Sequence, residues 1–324
     1  MSKEEKLYKG ARKIMEVCID LKKGETVLIV TDPDSSFAIS EALFRAVDDL
    51  GGEPSILYIK PPQIPGDDPS QLAGEMLPKC DVLITPTSKT LFHCLAVKKA
   101  LANGRTRLAT LSEADEEIMM SGAIEADFLA IKPSVDTVNK KYTDGKFIKY
   151  TTPGGTDLTA SIDGRAGIAN DSICHKAGDA NGVPDIEVYI APVEGTANGT
   201  LVIDASSSAI GLIEEPIKIT IKDGMATKIE GGKEAHKLRQ ILENTDDKNC
   251  FNLAELAVGM NPKARVRGKI IEDEGALGTC HAALGTNLNF GGNTAAPLHI
   301  DMVQWKPTII IDDEVIFEDG KLVL

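Results

Sequence analysis

Short apolar segments alternate with amphipathic segments over the first 130 residues, and this alternation constrains the fold more than any other feature. The apolar runs are Thr26–Val30, Ser55–Ile59, Asp81–Thr85 and Arg107–Leu111, with a fifth near Phe128–Ile131. Predicted helices cover 3–21, 36–50 and 91–102. Strands that lack polar alternation are buried on both faces, as in a parallel sheet covered by helices. We therefore predict a doubly wound, mostly parallel α/β domain.

The second half of the chain has a different pattern, in which Asp-Gly pairs punctuate alternating segments. These pairs occur at 144–145, 163–164, 223–224 and 319–320. Asp-Gly between alternating runs is a strong hairpin signal. Two helices are predicted to interrupt the strands, at 233–244 and near 253–258. The sequence thus predicts a scaffold domain over 1–135 and a β-rich α+β domain over 136–324, with the boundary near Lys132-Pro133-Ser134.

The composition excludes several classes of function. With 35 basic and 49 acidic residues, the formal net charge is −14, which disfavours binding to nucleic acid or to an anionic membrane. The charged amino terminus, the lack of an 18-residue apolar run and six cysteines without a C-x-x-C pair favour a cytoplasmic protein with reduced thiols. The first domain contains neither a G-x-G-x-x-G motif nor a P-loop, so a nucleotide site is not predicted there.

Two of the five histidines lie within one short segment that also offers a carboxylate. In a strand over 298–303, His299 and Asp301 share one face, and His281 lies across a glycine-rich loop. Imidazole nitrogens with a nearby carboxylate suit a divalent metal ion. The alternative is that His299 and Asp301 form an ordinary hydrogen-bonded pair and that His281 is structural.

Two glutamates in apolar surroundings favour the metal site. Glu187 lies in a predicted strand, and Glu255 lies in an almost uncharged stretch. A carboxylate in such surroundings is costly unless it is paired or binds a metal. With His281, His299 and Asp301, these residues form a set large enough for two ions.

Several segments together resemble the leucyl aminopeptidase (aminopeptidase T) family of metallopeptidases, over about 150–305. They are Gly154–Thr159, Ile186–Glu194 with Ala197–Gly199, Ala254–Pro262, Gly278–Gly285 and His299–Asp301. The resemblance implies a homodimer that removes N-terminal residues from peptides with two zinc, cobalt or manganese ions. It places the metal ligands at Glu187, Glu255, His281, His299 and Asp301. A family tyrosine ligand corresponds here to Leu288, which cannot bind a metal.

In the aminopeptidase interpretation, the ions activate a shared water, and Glu194 is the candidate general base. Arg265 and Arg267 share a strand face and are candidates for binding a substrate carboxylate. We expect this activity because both Glu187 and Glu255 are present.

Two alternatives stay open. The same superfamily has a branch that resembles 2,5-dihydroxypyridine 5,6-dioxygenase, which implies one iron(II) ion held by two histidines and one aspartate. His281, His299 and Asp301 supply that set without the missing tyrosine. The second alternative is a catalytically silent member of the family. The partners expected are a peptide or small-molecule substrate and a second copy of the chain.

Overall fold

The computed structural model describes all residues, 1–324, and the chain forms two compact units. The first unit contains 1–130 and 170–185, and the second contains 131–169 and 186–324. The division into independently folding domains at 1–135 and 136–324 stays a prediction.

Eight α-helices are present. In chain order they are α1 Lys3–Lys13, α2 Phe37–Asp49, α3 Gln71–Met76, α4 Leu95–Leu101, α5 Glu116–Met120, α6 Phe128–Asp144, α7 Lys233–Glu243 and α8 Ile270–Asp273. A single π-helical segment, Ile14–Cys18, continues α1, so the helix predicted over 3–21 changes its hydrogen bonding partway.

Twenty strands form three sheets. They are β1 Thr26–Thr31, β2 Glu53–Tyr58, β3 Val82–Thr85, β4 Arg107–Thr110, β5 Phe147–Thr151, β6 Asp157–Ser161, β7 Ile168–Asn170, β8 Ala180–Gly182, β9 Glu187–Ile190, β10 Asn198–Ile203, β11 Ser206–Ser207, β12 Gly211–Leu212, β13 Ile217–Lys222, β14 Met225–Glu230, β15 Leu253–Gly259, β16 Thr279–Gly285, β17 His299–Trp305, β18 Thr308–Ile311, β19 Glu314–Glu318 and β20 Lys321–Leu322.

The first unit contains the predicted parallel sheet. Its strand order is β2-β1-β3-β4-β8, and all four pairings are parallel. Strands β3 and β4 are buried along their whole length, which is why their sequences show no polar alternation. Leu28, Leu83 and Leu108 from three neighbouring strands share one apolar cluster with Val97 of α4. The predicted α/β fold class is therefore confirmed.

The prediction of a fifth strand near Phe128–Ile131 is wrong, because these residues begin α6. The Asp127 carboxylate accepts a hydrogen bond from the backbone N–H of Ala130, as in a helix N-cap. Phe128, Val135 and Tyr142 are buried at intervals of seven residues, which is a helical spacing. Pro133 lies within the helix and does not end it, although its sequence context suggested a boundary.

The second unit contains two sheets. An antiparallel eight-stranded sheet has the order β14-β13-β10-β6-β5-β18-β19-β20, and a seven-stranded sheet has the order β12-β11-β17-β16-β15-β9-β7. The hairpin predicted at Asp223-Gly224 joins β13 to β14, and both turn residues have positive φ, at 49° and 77°. Such φ values belong to a type I′ turn, which matches the twist of the strands. The Asp-Gly signal therefore located this hairpin correctly.

The prediction of a helix near Leu253–Val258 is also wrong, because this segment is β15, a central strand of the seven-stranded sheet. Every residue of β15 is buried. A short apolar run that is buried on both faces has no periodicity to separate a strand from a helix. The correction matters because β15 carries Glu255.

Two features concern the whole chain. No helix combines the length and the apolar character needed to cross a bilayer. All six cysteines are buried and carry free thiols.

Candidate metal centre

Four neighbouring strands of the seven-stranded sheet bring the predicted ligands onto one face. In the antiparallel pairings, Glu187 lies opposite Gly259, and His281 lies opposite Ala257. Ala283 lies on β16, between β15 and β17. Glu255 of β15 lies opposite it on one side, and Asp301 of β17 lies opposite it on the other. His299 lies opposite Gly285. Because residues two apart in a strand share a face, all five side chains point to the same side, which we call the site face.

Small residues leave room on the site face. The residues opposite Glu255 and His299 on β16 are Ala283 and Gly285, and His281 lies between Ala257 on β15 and Val303 on β17. A Cβ atom at Gly285 would lie 2.1 Å from the carbonyl oxygen of Leu298, and its φ is +121°. The strand therefore requires glycine at this position. The small neighbours of Glu255 and His299 thus leave the ligand-type side chains room to approach one another.

His281 contacts two carboxylates. Its Nε2 atom lies 3.3 Å from Glu187 Oε2 and 3.5 Å from Glu255 Oε1. All three side chains are buried, and His281 is only 1% exposed. These three donors form one compact group of potential metal ligands.

His299 contacts two carboxylates through one nitrogen and a carbonyl through the other. Its Nε2 atom lies 3.0 Å from Glu255 Oε2 and 3.1 Å from Asp301 Oδ1. Its Nδ1 atom lies 2.8 Å from the carbonyl oxygen of Thr286. A carbonyl oxygen only accepts hydrogen bonds, so Nδ1 carries a proton and donates it. Metal-binding histidines commonly donate the proton of one ring nitrogen in this way and bind the metal through the other nitrogen. In His299, the other nitrogen is Nε2, which faces the two carboxylates.

The pKa shifts reflect this clustering of acceptors. Burial alone would lower the pKa of His299, but the negative charge of Asp301 and the contact with Glu255 raise it well above its usual value. Burial would raise the pKa of Glu255, but its contacts with His281 and His299 lower it. The carboxylates therefore favour a positive charge at Nε2 of His299. Either protonation of Nε2 or a metal ion bound to it supplies that charge.

Glu274 is a member of this cluster that the sequence analysis missed. It follows α8 and forms a third compact group of donors with His281 and Asp301. Its sequence neighbours are Glu272 and Asp273, and nothing in this acidic run distinguishes Glu274 from a solvated residue. Glu274 lies in the segment that joins α8 to β16, and the path of this segment brings its carboxylate near His281 and Asp301.

The donor set fits a metal ion. It contains two imidazole nitrogens and the carboxylates of Glu187, Glu255, Glu274 and Asp301, and the closest donor pairs are 3.0–3.5 Å apart. Ligands with bonds of about 2.0–2.2 Å lie roughly 2.8–3.6 Å apart around an octahedral or tetrahedral ion. Four carboxylates in one partly buried cluster also need a compensating positive charge. The roles of the individual residues as ligands stay a prediction.

Glu194 and Leu288 lie outside these groups of potential ligands. Glu194 accepts hydrogen bonds from Asn287, from the backbone of Asn293 and from Arg165, and its role as a general base stays a prediction. Leu288, at the position of the family tyrosine, is exposed and offers no ligand atom.

The candidate substrate-binding arginines have a common partner. The Nε atoms of Arg265 and Arg267 lie 3.1 and 2.5 Å from the carboxylate oxygens of Glu272, which is fully buried. A role in binding a substrate carboxylate stays a prediction.

Comparison with known proteins identifies relatives over nearly the whole chain. A model of the 2,5-dihydroxypyridine 5,6-dioxygenase family matches residues 6–324. The curated 2,5-dihydroxypyridine 5,6-dioxygenase of Pseudomonas putida KT2440 is 24% identical over 181 residues, which is 52% of this chain and 52% of the relative. That alignment thus spans about half the length of the relative.

Two solved structures share the fold. A 2,5-dihydroxypyridine dioxygenase from Pseudomonas putida KT2440 is 18% identical, with a TM-score of 0.86, and the match covers 100% of this chain and 98% of that chain. AmpT from Thermus thermophilus is 15% identical, with a TM-score of 0.73, and the match covers 100% of both chains. At these identities, the likeness shows the fold alone.

Proposed function

Because the chain belongs to the 2,5-dihydroxypyridine 5,6-dioxygenase family, we propose that it is a ring-cleaving dioxygenase that uses one iron(II) ion. Its proposed substrate class is a dihydroxylated pyridine. The observation that carries the proposal is that Asp301 lies in one compact group of potential ligands with His299 and in a second such group with His281. Two histidines and one carboxylate form the ligand set of many non-haem iron(II) oxygenases.

The predicted aminopeptidase activity is wrong, and so is the classification as a hydrolase or protease. The family match over 6–324 supports the dioxygenase alternative in its place. The likeness to AmpT shows the fold alone. A requirement for a metal is common to both interpretations, and we propose one iron(II) ion in place of the two ions that the aminopeptidase resemblance implied.

Two groups next to the proposed histidine ligands have different roles, namely the Thr286 carbonyl and the Glu255 carboxylate. When bound, iron(II) supplies the redox chemistry that activates dioxygen. The carbonyl of Thr286 holds the His299 ring through Nδ1 and leaves Nε2 available. Glu255 lies between the imidazoles, with one oxygen near each Nε2, and can accept a proton from either ring or from a hydroxyl group of a substrate.

An aromatic surface next to a proposed ligand supports a planar substrate. The ring of Phe290 packs against the ring of His299, with 4.6 Å between centroids and 34° between planes. Tyr189 packs edge-on against Phe290 at 5.6 Å. Offset and edge-on contacts are favourable between aromatic rings. A pyridine ring can extend this group of stacked rings.

The function is tested with purified protein loaded with iron(II) without air and then given dioxygen and 2,5-dihydroxypyridine. We expect loss of the substrate with one dioxygen consumed per ring opened. With ¹⁸O₂, both labelled atoms appear in the ring-opened product. Removing the iron with a chelator abolishes the reaction, and adding iron(II) back restores it.

Protein that binds iron(II) stoichiometrically but leaves the ring intact, with no dioxygen consumed, would contradict the proposal. A panel of aminoacyl amides serves as the negative control, and we expect no hydrolysis. The homodimer stays a prediction, which light scattering on the same samples measures.

The small side chain of Ala283 gives a first mutational prediction. Ala283 lies directly between Glu255 and Asp301, so Ala283→Leu places three additional carbon atoms between the two carboxylates. We expect bound iron to fall by at least half, while the far-UV circular dichroism spectrum stays unchanged. Ala283→Gly is the matched control and retains iron, because it adds no atoms. Full iron binding by folded Ala283→Leu protein would show that the ion does not lie between these residues.

A further inference from the structure

The segment Thr286–Thr294 between β16 and β17, which we call the site loop, is folded around one buried side chain. Asn287 is 0% exposed. Its Oδ1 atom accepts a hydrogen bond from the backbone of Thr294 at 2.7 Å, and its backbone carbonyl accepts from Phe290 and Gly292 at 3.0 Å. A Cβ atom at Gly292 would lie 2.0 Å from the Asn287 side chain, so the loop closes tightly on this residue.

Glu194 anchors the site loop from outside. One carboxylate oxygen, Oε1, accepts hydrogen bonds from Asn287 Nδ2 at 2.9 Å and from the backbone N–H of Asn293 at 2.7 Å. The other oxygen, Oε2, forms an ion pair with Arg165. The same arginine donates a hydrogen bond to the backbone carbonyl of Gly291. Glu194 thus binds the buried Asn287 of the site loop, and Arg165 binds the backbone of the loop at Gly291.

The site loop contacts His299 on two sides. Its first residue, Thr286, accepts the hydrogen bond from His299 Nδ1, and Phe290 packs against the imidazole ring. The hydrogen bond fixes the rotation of the ring within its plane, and the stacking fixes the tilt of that plane. A ligand held in this way loses less freedom when it binds a metal.

We propose that Asn287 and Glu194, with Arg165, are positioning residues that hold the site loop so that Thr286 and Phe290 fix the imidazole of His299 for metal binding. The inference rests on the proposed function in that His299 is a metal ligand. It adds a role for three residues that touch neither the proposed ion nor its ligands directly. Partners of this kind typically contribute 10–100-fold to metal affinity.

The test measures cobalt(II) binding, because cobalt(II) gives a visible absorption spectrum that reports on the geometry of its ligands. In Asn287→Ala and Glu194→Ala, we expect affinity to fall at least 10-fold and the absorption bands to shift. Glu194→Gln keeps an oxygen that can accept from Asn287 and Asn293 but loses the ion pair with Arg165, so we expect it to recover most, but not all, of the affinity that Glu194→Ala loses. Rescue by this variant separates positioning from general loss of structure.

Asp81→Ala is the matched control from the first unit. Asp81 also accepts hydrogen bonds from an arginine, Arg105, and from a backbone N–H, that of Thr26. We expect this variant to bind cobalt(II) normally, with unchanged absorption bands. Circular dichroism establishes that each variant is folded.

Normal affinity and normal bands in folded Asn287→Ala, or in folded Glu194→Ala if the first variant does not fold, would overturn the proposal. The measurement needs no substrate. Therefore, protein that binds metal but does not cleave the ring would refute the proposed function alone and would leave this test valid.

Discussion

Replacing His299 with alanine is expected to remove bound iron and ring cleavage together. The Nε2 atom of His299 lies about as far from Glu255 and Asp301 as neighbouring ligands of one ion lie from each other. Losing it removes one of the two nitrogen donors and leaves these carboxylates facing one another. We expect iron affinity to fall by more than about 100-fold, because even partners outside the ligand set contribute 10–100-fold. Elemental analysis after gel filtration measures the loss.

Two further variants make this result specific. Asp301→Asn keeps the shape of the side chain but removes its charge, so we expect a similar loss of iron. His236→Ala changes an exposed histidine on α7, and we expect iron content and activity to stay unchanged. If His299→Ala retained one iron ion per chain and full activity, the ion would have to be bound elsewhere.

The site could be predicted from the sequence where it depends on local periodicity. The alternation around His299 and Asp301 placed both on one strand face, which the structure has. Glu187 and Glu255 stood out because each lies among apolar residues, and both are buried. Such signals need only a few neighbouring residues, so they do not depend on knowing the register between strands.

The residues that were missed depend on contacts between distant parts of the chain. Asn287 bonds to Glu194, 93 positions earlier, and Arg165 reaches Gly291 across 126 positions. Glu274 reaches the site only because of how the chain enters β16. Nothing in the local pattern of a loop asparagine or of an acidic run distinguishes these residues from solvated ones.

The error in function has a physical basis in the same cluster. In the sequence, Glu187 and Glu255 indicate a second ion, because buried carboxylates need a positive partner. In the structure, both contact His281, and Glu255 also contacts His299. One ion bound to the same imidazoles would also lie near these carboxylates, so their burial does not by itself require a second metal. The count of acidic residues therefore could not separate one ion from two.

The second large effect is expected in the first unit, where Arg107→Ala should destabilise the fold by about 3 kcal/mol, the lower end of the cost of breaking a buried ion pair. Arg107 is only 5% exposed. Its two terminal nitrogens lie 2.8 and 2.7 Å from the two carboxylate oxygens of Glu25, and its Nε donates to the carbonyl of Ile19. Alanine leaves both oxygen acceptors of a partly buried carboxylate without these donors.

Arg105→Ala is the control, because Arg105 forms an ion pair with Asp81 but is half exposed. Exposed pairs contribute about 0–1 kcal/mol, so we expect a much smaller change in the urea midpoint. Equal shifts for the two variants would show that burial of the Arg107 pair contributes nothing.

The loss caused by Arg107→Ala should depend on pH. Burial would raise the pKa of Glu25, but its hydrogen bonds with Arg107 and with the backbone of Lys22 lower it below the usual value. A carboxyl group whose pKa is lowered by folding stabilises the fold above its unfolded pKa of about 4.3, and this contribution is lost as the pH falls through the folded pKa. The difference between the two proteins should therefore be full at pH 7 and should shrink below about pH 4. Urea titrations at both pH values measure it, and a difference that stayed constant would mean that the charge of Glu25 is not responsible.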